Sequence, residues 1–169
     1  MVYSALALIA VFALAGAGPH IETSADTSYR LLGRTGQATE GPTFGWPLAG
    51  VGATLSTEET VTLQANLTLP HIDWYDVKGQ VEDGVRFGWF IDDAFASDFL
   101  VKPGDIKTLR EIVIPEGASE VKLLRLSEDL YASGSENAPV FHGWVTSPSS
   151  TLSQLPARPT VLFVGDSGR

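Results

Sequence analysis

Residues 60–69 alternate strictly between polar and apolar side chains. The apolar positions are Val61, Leu63, Ala65, Leu67 and Leu69, and threonine, glutamine or asparagine fills the positions between them. Successive side chains of a β-strand point to opposite faces, so this pattern predicts a strand with one face buried and the other in water.

Similar segments follow at short intervals, and no window has sustained helical periodicity. The predicted strands are residues 85–91, 98–101, 106–114, 120–126 and 140–146, separated by turns such as Pro103-Gly104-Asp105 and Pro115-Glu116-Gly117. Short strands at this spacing are typical of antiparallel sandwiches. We therefore predict an all-β fold, an antiparallel β-sandwich of the jelly-roll type, over residues 26–146. A linker rich in serine and proline is predicted at residues 147–159.

The N-terminus predicts secretion. An apolar run at residues 5–15 leads into small residues that form an A-x-A-like cleavage site, so residues 1–17 are interpreted as a signal peptide. The small residues and the polar stretch after them disfavour a membrane anchor or a buried strand, although the segment before the run lacks Lys and Arg. With no cysteine in the chain, packing alone must stabilise an extracellular domain.

The net charge of the chain limits the kinds of partner it can bind. The chain has 20 acidic and 11 basic residues, a net charge of -9, which repels phosphate backbones and anionic lipid surfaces. Nucleic acid and membrane are therefore not predicted as partners. The three histidines lack metal-ligand spacing and no cysteine is present, so neither a metal nor a cofactor is predicted.

Two surface features are candidate sites. Asn66 opens the N-glycosylation sequon Asn66-Leu67-Thr68 on the polar face of its strand. Trp74 and Tyr75 lie between two aspartates outside the predicted strands, and they are the best candidates for stacking on sugar rings.

Other aromatic and histidine residues are predicted to be structural. Trp89 and Trp144 lie within strands among apolar neighbours, which favours core packing. Trp46 is expected to help shape the sheet. His142 is expected to share a strand face with Val140 and Trp144 and to be packed or hydrogen-bonded there.

The order of five motifs resembles carbohydrate esterase family 2. The motifs are Leu32-Gly33-Arg34, Phe44-Gly45-Trp46-Pro47 followed by Gly50, EVKLLRLSE at residues 120–128, Phe141-His142-Gly143-Trp144, and VLFVGDS at residues 161–167. In that family a jelly-roll domain precedes an α/β hydrolase domain of the SGNH (GDSL) type, which deacetylates plant cell-wall polysaccharides such as xylan. The resemblance implies a secreted accessory domain of an acetyl xylan-type esterase, with acetylated plant polysaccharide as its partner.

The resemblance also implies a role for Ser167. In the family, the serine of Gly-Asp-Ser is the nucleophile and its backbone N–H is an oxyanion donor, while an asparagine donor and a histidine base come from later blocks. Ser167 matches the nucleophile position, but no later blocks follow it in this sequence. Residues 160–169 are thus expected to be the truncated first strand and nucleophile turn of an SGNH hydrolase domain. The chain alone is expected to be inactive, with the catalytic SGNH domain as its missing partner.

Two other functions remain open. The sandwich is an autonomous carbohydrate-binding module if its aromatic side chains bind glycans unaided. Alternatively, the sequence is an incomplete part of an active GDSL-type serine esterase.

Overall fold

Strands form wherever the alternation predicts them. The computed structural model describes residues 20–21, 28–70, 84–127 and 138–157. In these residues the strands are β1 (His20–Ile21), β2 (Arg30–Leu32), β3 (Gly36–Ala38), β4 (Gly41–Thr43), β5 (Gly50–Ser56), β6 (Val61–Thr68), β7 (Val85–Ile91), β8 (Ala94–Val101), β9 (Thr108–Ile114), β10 (Glu120–Arg125), β11 (Val140–Thr146) and β12 (Thr151–Gln154). No helix in these segments is long and apolar enough to cross a bilayer.

Within the described segments the strands form two antiparallel sheets. Sheet A has the order β3-β4-β11-β6-β9, with β1 paired to β11, and sheet B has the order β12-β5-β10-β7-β8, with β2 paired to β5. One core contains buried side chains from both sheets. The predicted all-β sandwich is therefore confirmed.

Aromatic rings connect the two sheets through the core. The ring of Trp89 in β7 lies 5.9 Å from that of Trp144 in β11, measured between centroids. The ring of Phe44 lies 6.0 Å from Phe87 and 6.1 Å from Phe141. Both tryptophans are fully buried, as predicted. Aromatic pairs at such separations contribute about 0.5–1.5 kcal/mol each beyond the burial of their area.

The connection between β7 and β8 is a two-residue turn. Asp92 and Asp93 have φ angles of 47° and 68°, the left-handed pair that a type I′ hairpin requires. The Asp92 carboxylate accepts hydrogen bonds from the backbone N–H groups of Glu120 and Ser119, which lower its pKa. The turn therefore also fixes the start of β10.

The fold differs from the sequence-based outline in several respects. β12 pairs with β5 inside the segment predicted as a linker, and β1 lies before the predicted start of the sandwich. The glycine-rich β5 was not predicted as a strand. The predicted signal peptide at residues 1–17 and the predicted hydrolase stub at residues 160–169 lie outside the described residues.

Candidate functional site

Three of the four site residues predicted from the sequence lie outside the described residues, and one lies within them. Ser167, Trp74 and Tyr75 lie outside the described residues. Asn66 is described: it is half-buried on β6, between β11 and β9. These four predictions stay predictions, and the site that the described residues do assemble lies elsewhere.

That site is the turn at residues 44–49, which we call the Trp46 turn. Its two ends, Phe44 and Ala49, are fully buried. Between them the side chains of Trp46 and Leu48 are 46% and 62% exposed. The turn therefore presents two large apolar groups to solvent from a buried base.

Arg125 connects the Trp46 turn to β10. Its guanidinium Nη1 donates to the carbonyl of Phe44 at 2.8 Å. Its backbone N–H donates to the carbonyl of Ala49 at 2.9 Å, and its carbonyl accepts from the N–H of Leu48 at 2.8 Å. The backbone N–H of Phe44 donates to the carbonyl of Pro139 at 3.0 Å. Anchored at both ends, the turn is preorganised.

Gly33 fits beneath the turn because it lacks a side chain. Its φ is 67°, and a Cβ atom there would lie 2.7 Å from the carbonyl oxygen of Leu48, closer than real Cβ contacts allow. This close approach brings the next residue, Arg34, over the exposed ring. The guanidinium carbon of Arg34 lies 4.6 Å from the centroid of the Trp46 ring, which is cation–π distance.

The backbone of the turn is strained at Leu48, whose φ is 61°. A non-glycine residue in the left-handed region costs on the order of 1 kcal/mol, and such strain concentrates at functional sites. The exposed groups are an indole, a leucine and a guanidinium, none of which is a nucleophile or a base near neutral pH. The arrangement therefore suits recognition rather than catalysis.

The expectation that Trp46 shapes the sheet was wrong. Trp46 belongs to no strand and projects into solvent, because Gly45 and Pro47 on either side of it favour a turn. That local signal was present in the sequence. The contact between Arg34 and the Trp46 ring could not be predicted from the sequence, because it depends on the packing of Gly33 against Leu48.

His142 occupies a second, polar cluster on sheet A. A β-bulge between Phe141 and Gly143 breaks the alternation of β11, so His142 does not share the inward face of Trp144, contrary to expectation. The His142 Nε2 atom lies 2.7 Å from the hydroxyl oxygen of Thr68. The predicted hydrogen-bonded role is therefore confirmed.

The surroundings of His142 favour its neutral form. Burial lowers its pKa below the ordinary value of 6.5, and the positive charge of Lys107 lowers it further, whereas Glu40 opposes the shift. The Thr68 hydroxyl accepts from the Lys107 backbone N–H at 2.9 Å, which leaves its own proton to be donated to the neutral imidazole. The cluster thus joins three segments of chain, which is a structural role.

We predict that this cluster makes stability depend on pH. A lowered pKa in the folded state means that the unfolded chain binds more protons as the pH falls through 6.5. The contribution of His142 is therefore fully present above that pH and is lost below it. Urea unfolding between about pH 5.5 and 7.5 should show stability rising with pH, with a smaller rise in His142→Gln. Equal slopes in the two proteins would contradict the prediction.

Metal-binding side chains do not cluster in the part of the chain described: no group of three or more His, Asp and Glu residues is placed to hold an ion.

Comparison with known proteins finds similarity in structure alone. No family model and no curated protein matches the sequence. A salicylyl-acyltransferase from a tetracycline biosynthetic pathway matches with a TM-score of 0.60 at 8% identity, over 83% of this chain and 42% of that chain. An acetyl xylan esterase from the rumen bacterium Butyrivibrio proteoclasticus matches with a TM-score of 0.51 at 12% identity, over 82% of this chain and 34% of that chain.

A third similar structure is of a different kind. A family 35 carbohydrate binding module from an environmental isolate matches with a TM-score of 0.51 at 13% identity, over 79% of this chain and 97% of that chain. At these identities the matches show that the β-sandwich fold is shared. The chain spans less than half of each of the two enzymes and nearly the whole of the binding module.

Proposed function

We propose that this β-sandwich is an accessory domain of a carbohydrate esterase and that the Trp46 turn is its contact with the hydrolase domain. The observation that carries the proposal is the exposed stack of Arg34 on Trp46. Both residues belong to motifs that resemble carbohydrate esterase family 2, yet neither is needed to fill the core.

Five other described members of those motifs have roles in the fold. Gly33 permits the close approach of two segments, and Arg125 anchors the turn. Phe44, Phe141 and Trp144 fill the core. Arg34 and Trp46 differ from these five residues because both are exposed and in contact with each other, and this exposed pair points to a partner. Arginine and aromatic residues are enriched at protein interfaces and among their hot spots.

The surroundings favour a protein partner over a sugar at this position. Arg34 already covers one face of the indole, and the neighbouring exposed group, Leu48, is aliphatic. Sugar rings stack on open aromatic faces, whereas leucine beside tryptophan is suited to packing against apolar protein surface. A preorganised turn also loses little conformational entropy on binding.

Fold similarity supports an accessory role next to acyl chemistry. The sandwich accounts for about a third of an acetyl xylan esterase chain and less than half of an acyltransferase chain. We propose the finer assignments of the sequence analysis with it: a secreted protein, an acetylated plant polysaccharide as substrate of the whole enzyme, and Ser167 at the nucleophile position.

The test uses the hydrolase domain that the proposal expects to be encoded with this chain, expressed as a separate polypeptide. Calorimetry with the wild-type chain should detect binding, and Trp46→Ala should weaken it about 30-fold, the equivalent of a 2 kcal/mol hot spot. Arg34→Met should weaken it less, because Trp46 remains.

Phe95→Ala is the matched control for that experiment. Phe95 is an exposed aromatic on β8 beside the β7–β8 turn, at the other end of sheet B from the Trp46 turn. It should leave binding unchanged. Equal affinity of Trp46→Ala and wild type, or a coding sequence without any hydrolase domain, would contradict the proposal.

An autonomous carbohydrate-binding module is the second candidate, because the chain matches almost the whole of such a module. Titration with acetylated and deacetylated xylan oligomers distinguishes the two functions. Tight binding that is lost in Trp46→Ala or Trp74→Ala favours the module and identifies its aromatic residue. No detectable binding to either oligomer favours the accessory role.

The third possibility, an active serine esterase, has its own measurement. We expect the chain alone not to release acetate from an aryl acetate, since no residue of this sequence matches the family's oxyanion asparagine or its histidine base. Turnover that disappears in Ser167→Ala would favour an active esterase instead.

A further inference from the structure

The outer face of sheet A carries an apolar patch at its edge. Leu109 and Val113 of β9 are 46% and 60% exposed and lie on either side of Glu111 on the same face, and we call these two apolar residues the β9 patch. In the described residues β9 pairs only with β6 and ends the sheet. An exposed apolar edge strand favours association between sheets of different molecules, so natural proteins usually cover or block such edges.

Asn66 lies directly opposite this patch. In the antiparallel pairing of β6 with β9, its Cα partner is Leu109, so the two side chains leave the same face with Cβ atoms about 5 Å apart. The neighbouring pair is polar, with Gln64 donating to Glu111 at 3.4 Å. The Oδ1 atom of Asn66, by contrast, is buried without a hydrogen-bond partner among the described residues.

We propose that Asn66 carries an N-linked glycan whose first sugars cover Leu109 and the adjoining edge of β9. In the covalent step, Nδ2 of Asn66 bonds to C1 of an oligosaccharide donated by a polyprenyl diphosphate carrier. The C1–oxygen bond to the diphosphate breaks, and the proton lost by Nδ2 balances the charge of the leaving group. The glycan is bulky and solubilising, and the C–H faces of its sugars pack on leucine. This inference shares with the proposed function only the secreted location, and it does not depend on a hydrolase domain or on the Trp46 turn.

The structure also indicates when the modification happens. β6 is paired on both sides, to β11 through Gly143 and to β9 through Leu109. The Thr68 hydroxyl, which the sequon requires, is held between His142 Nε2 and the Lys107 backbone N–H. A sequon held in this way is not available to a transferase, so Asn66 is modified before β6 enters the sheet.

The first experiment maps the site in the full chain secreted from a eukaryotic host. Peptide mass spectrometry after amidase deglycosylation should find Asn66 converted to Asp in most molecules. Asn66→Gln should lose the modification, while Thr68→Ser, which preserves the sequon, should retain it. Unmodified Asn66 in the secreted wild type would overturn the proposal.

The second experiment tests coverage of the β9 patch in wild-type protein that has already folded, with a surface variant as its control. Folded glycoprotein is deglycosylated enzymatically, and the binding of the dye 1-anilinonaphthalene-8-sulfonate is compared before and after. Wild type should show a several-fold rise in fluorescence and faster aggregation. The double variant Leu109→Thr/Val113→Thr, which changes only exposed side chains, should show little change. An equal rise in both proteins, or no rise in either, would overturn coverage of the β9 patch.

A third measurement tests the timing. The chain made in bacteria is offered, folded or urea-unfolded and freshly diluted, to microsomal transferase. Only the unfolded sample should be modified. Efficient modification of the folded chain would overturn the proposed order.

Discussion

Gly50→Ala should prevent this chain from folding. A Cβ atom at Gly50 would lie 1.9 Å from the carbonyl oxygen of Leu123, 2.9 Å from its carbonyl carbon and 3.0 Å from the Cα of Leu124. All three are backbone atoms of β10, so no side-chain rotation relieves the overlap. The two central strands of sheet B must separate instead. We expect a loss of more than about 4 kcal/mol, most of the stability of a small domain, and no cooperative urea transition.

Gly52→Ala is the matched control for this prediction, because Gly52 lies two residues along the same strand. Its Cβ would approach Leu155 Cδ1 at 2.4 Å, Leu32 Cδ1 at 3.1 Å and Lys122 Cγ at 3.2 Å. These are atoms of flexible side chains that can move, so the cost should be about 1–2 kcal/mol. Urea unfolding followed by circular dichroism measures both variants. Similar losses at the two positions would contradict the backbone-overlap argument.

The same glycines explain why β5 was not predicted from the sequence. Val51, Ala53 and Leu55 alternate as a strand should, but Gly50 before them and Gly52 among them resemble turn residues. Glycine is needed at these positions because β10 and side chains from distant segments approach the backbone of β5 closely. Those contacts exist only in the folded chain. β6 was predictable because its alternation is complete and one of its faces stays in water.

The candidate site was less predictable than the fold. Hydrophobic patterning identifies apolar residues but does not distinguish a buried tryptophan from an exposed one, so Trp89 and Trp144 were assigned correctly and Trp46 was not. Arg125 is the opposite case, a charged residue at a buried position. It follows Val121 and Leu123 on the inward face of β10, and its partner Phe44 lies far away in the sequence. Period-two patterning places the arginine in the core but cannot name the carbonyl that satisfies it.

Arg125→Met should destabilise the chain strongly and release the Trp46 turn. Arg125 is only 2% exposed, and its guanidinium donates to the carbonyls of Phe44 and Ser127. Methionine preserves much of the buried volume but has no N–H to donate, so the Phe44 carbonyl loses this partner in a buried position. We expect a loss of about 3 kcal/mol. Arg125→Lys should lose somewhat less, because one ammonium group cannot reproduce the fork geometry of two guanidinium donors.

Arg34→Met is the control for Arg125→Met, because it changes the exposed surface of the Trp46 turn and leaves the hydrogen bonds that anchor the turn in place. Arg34 is exposed and stacks on Trp46 without a role in the core, so its replacement should change stability by no more than about 0.5 kcal/mol. Urea unfolding gives the stabilities, and tryptophan anisotropy reports mobility of the turn. If Arg125→Met unfolds at the wild-type urea concentration with unchanged anisotropy, Arg125 does not hold the turn, and the preorganisation on which the proposed contact with a hydrolase domain depends is absent.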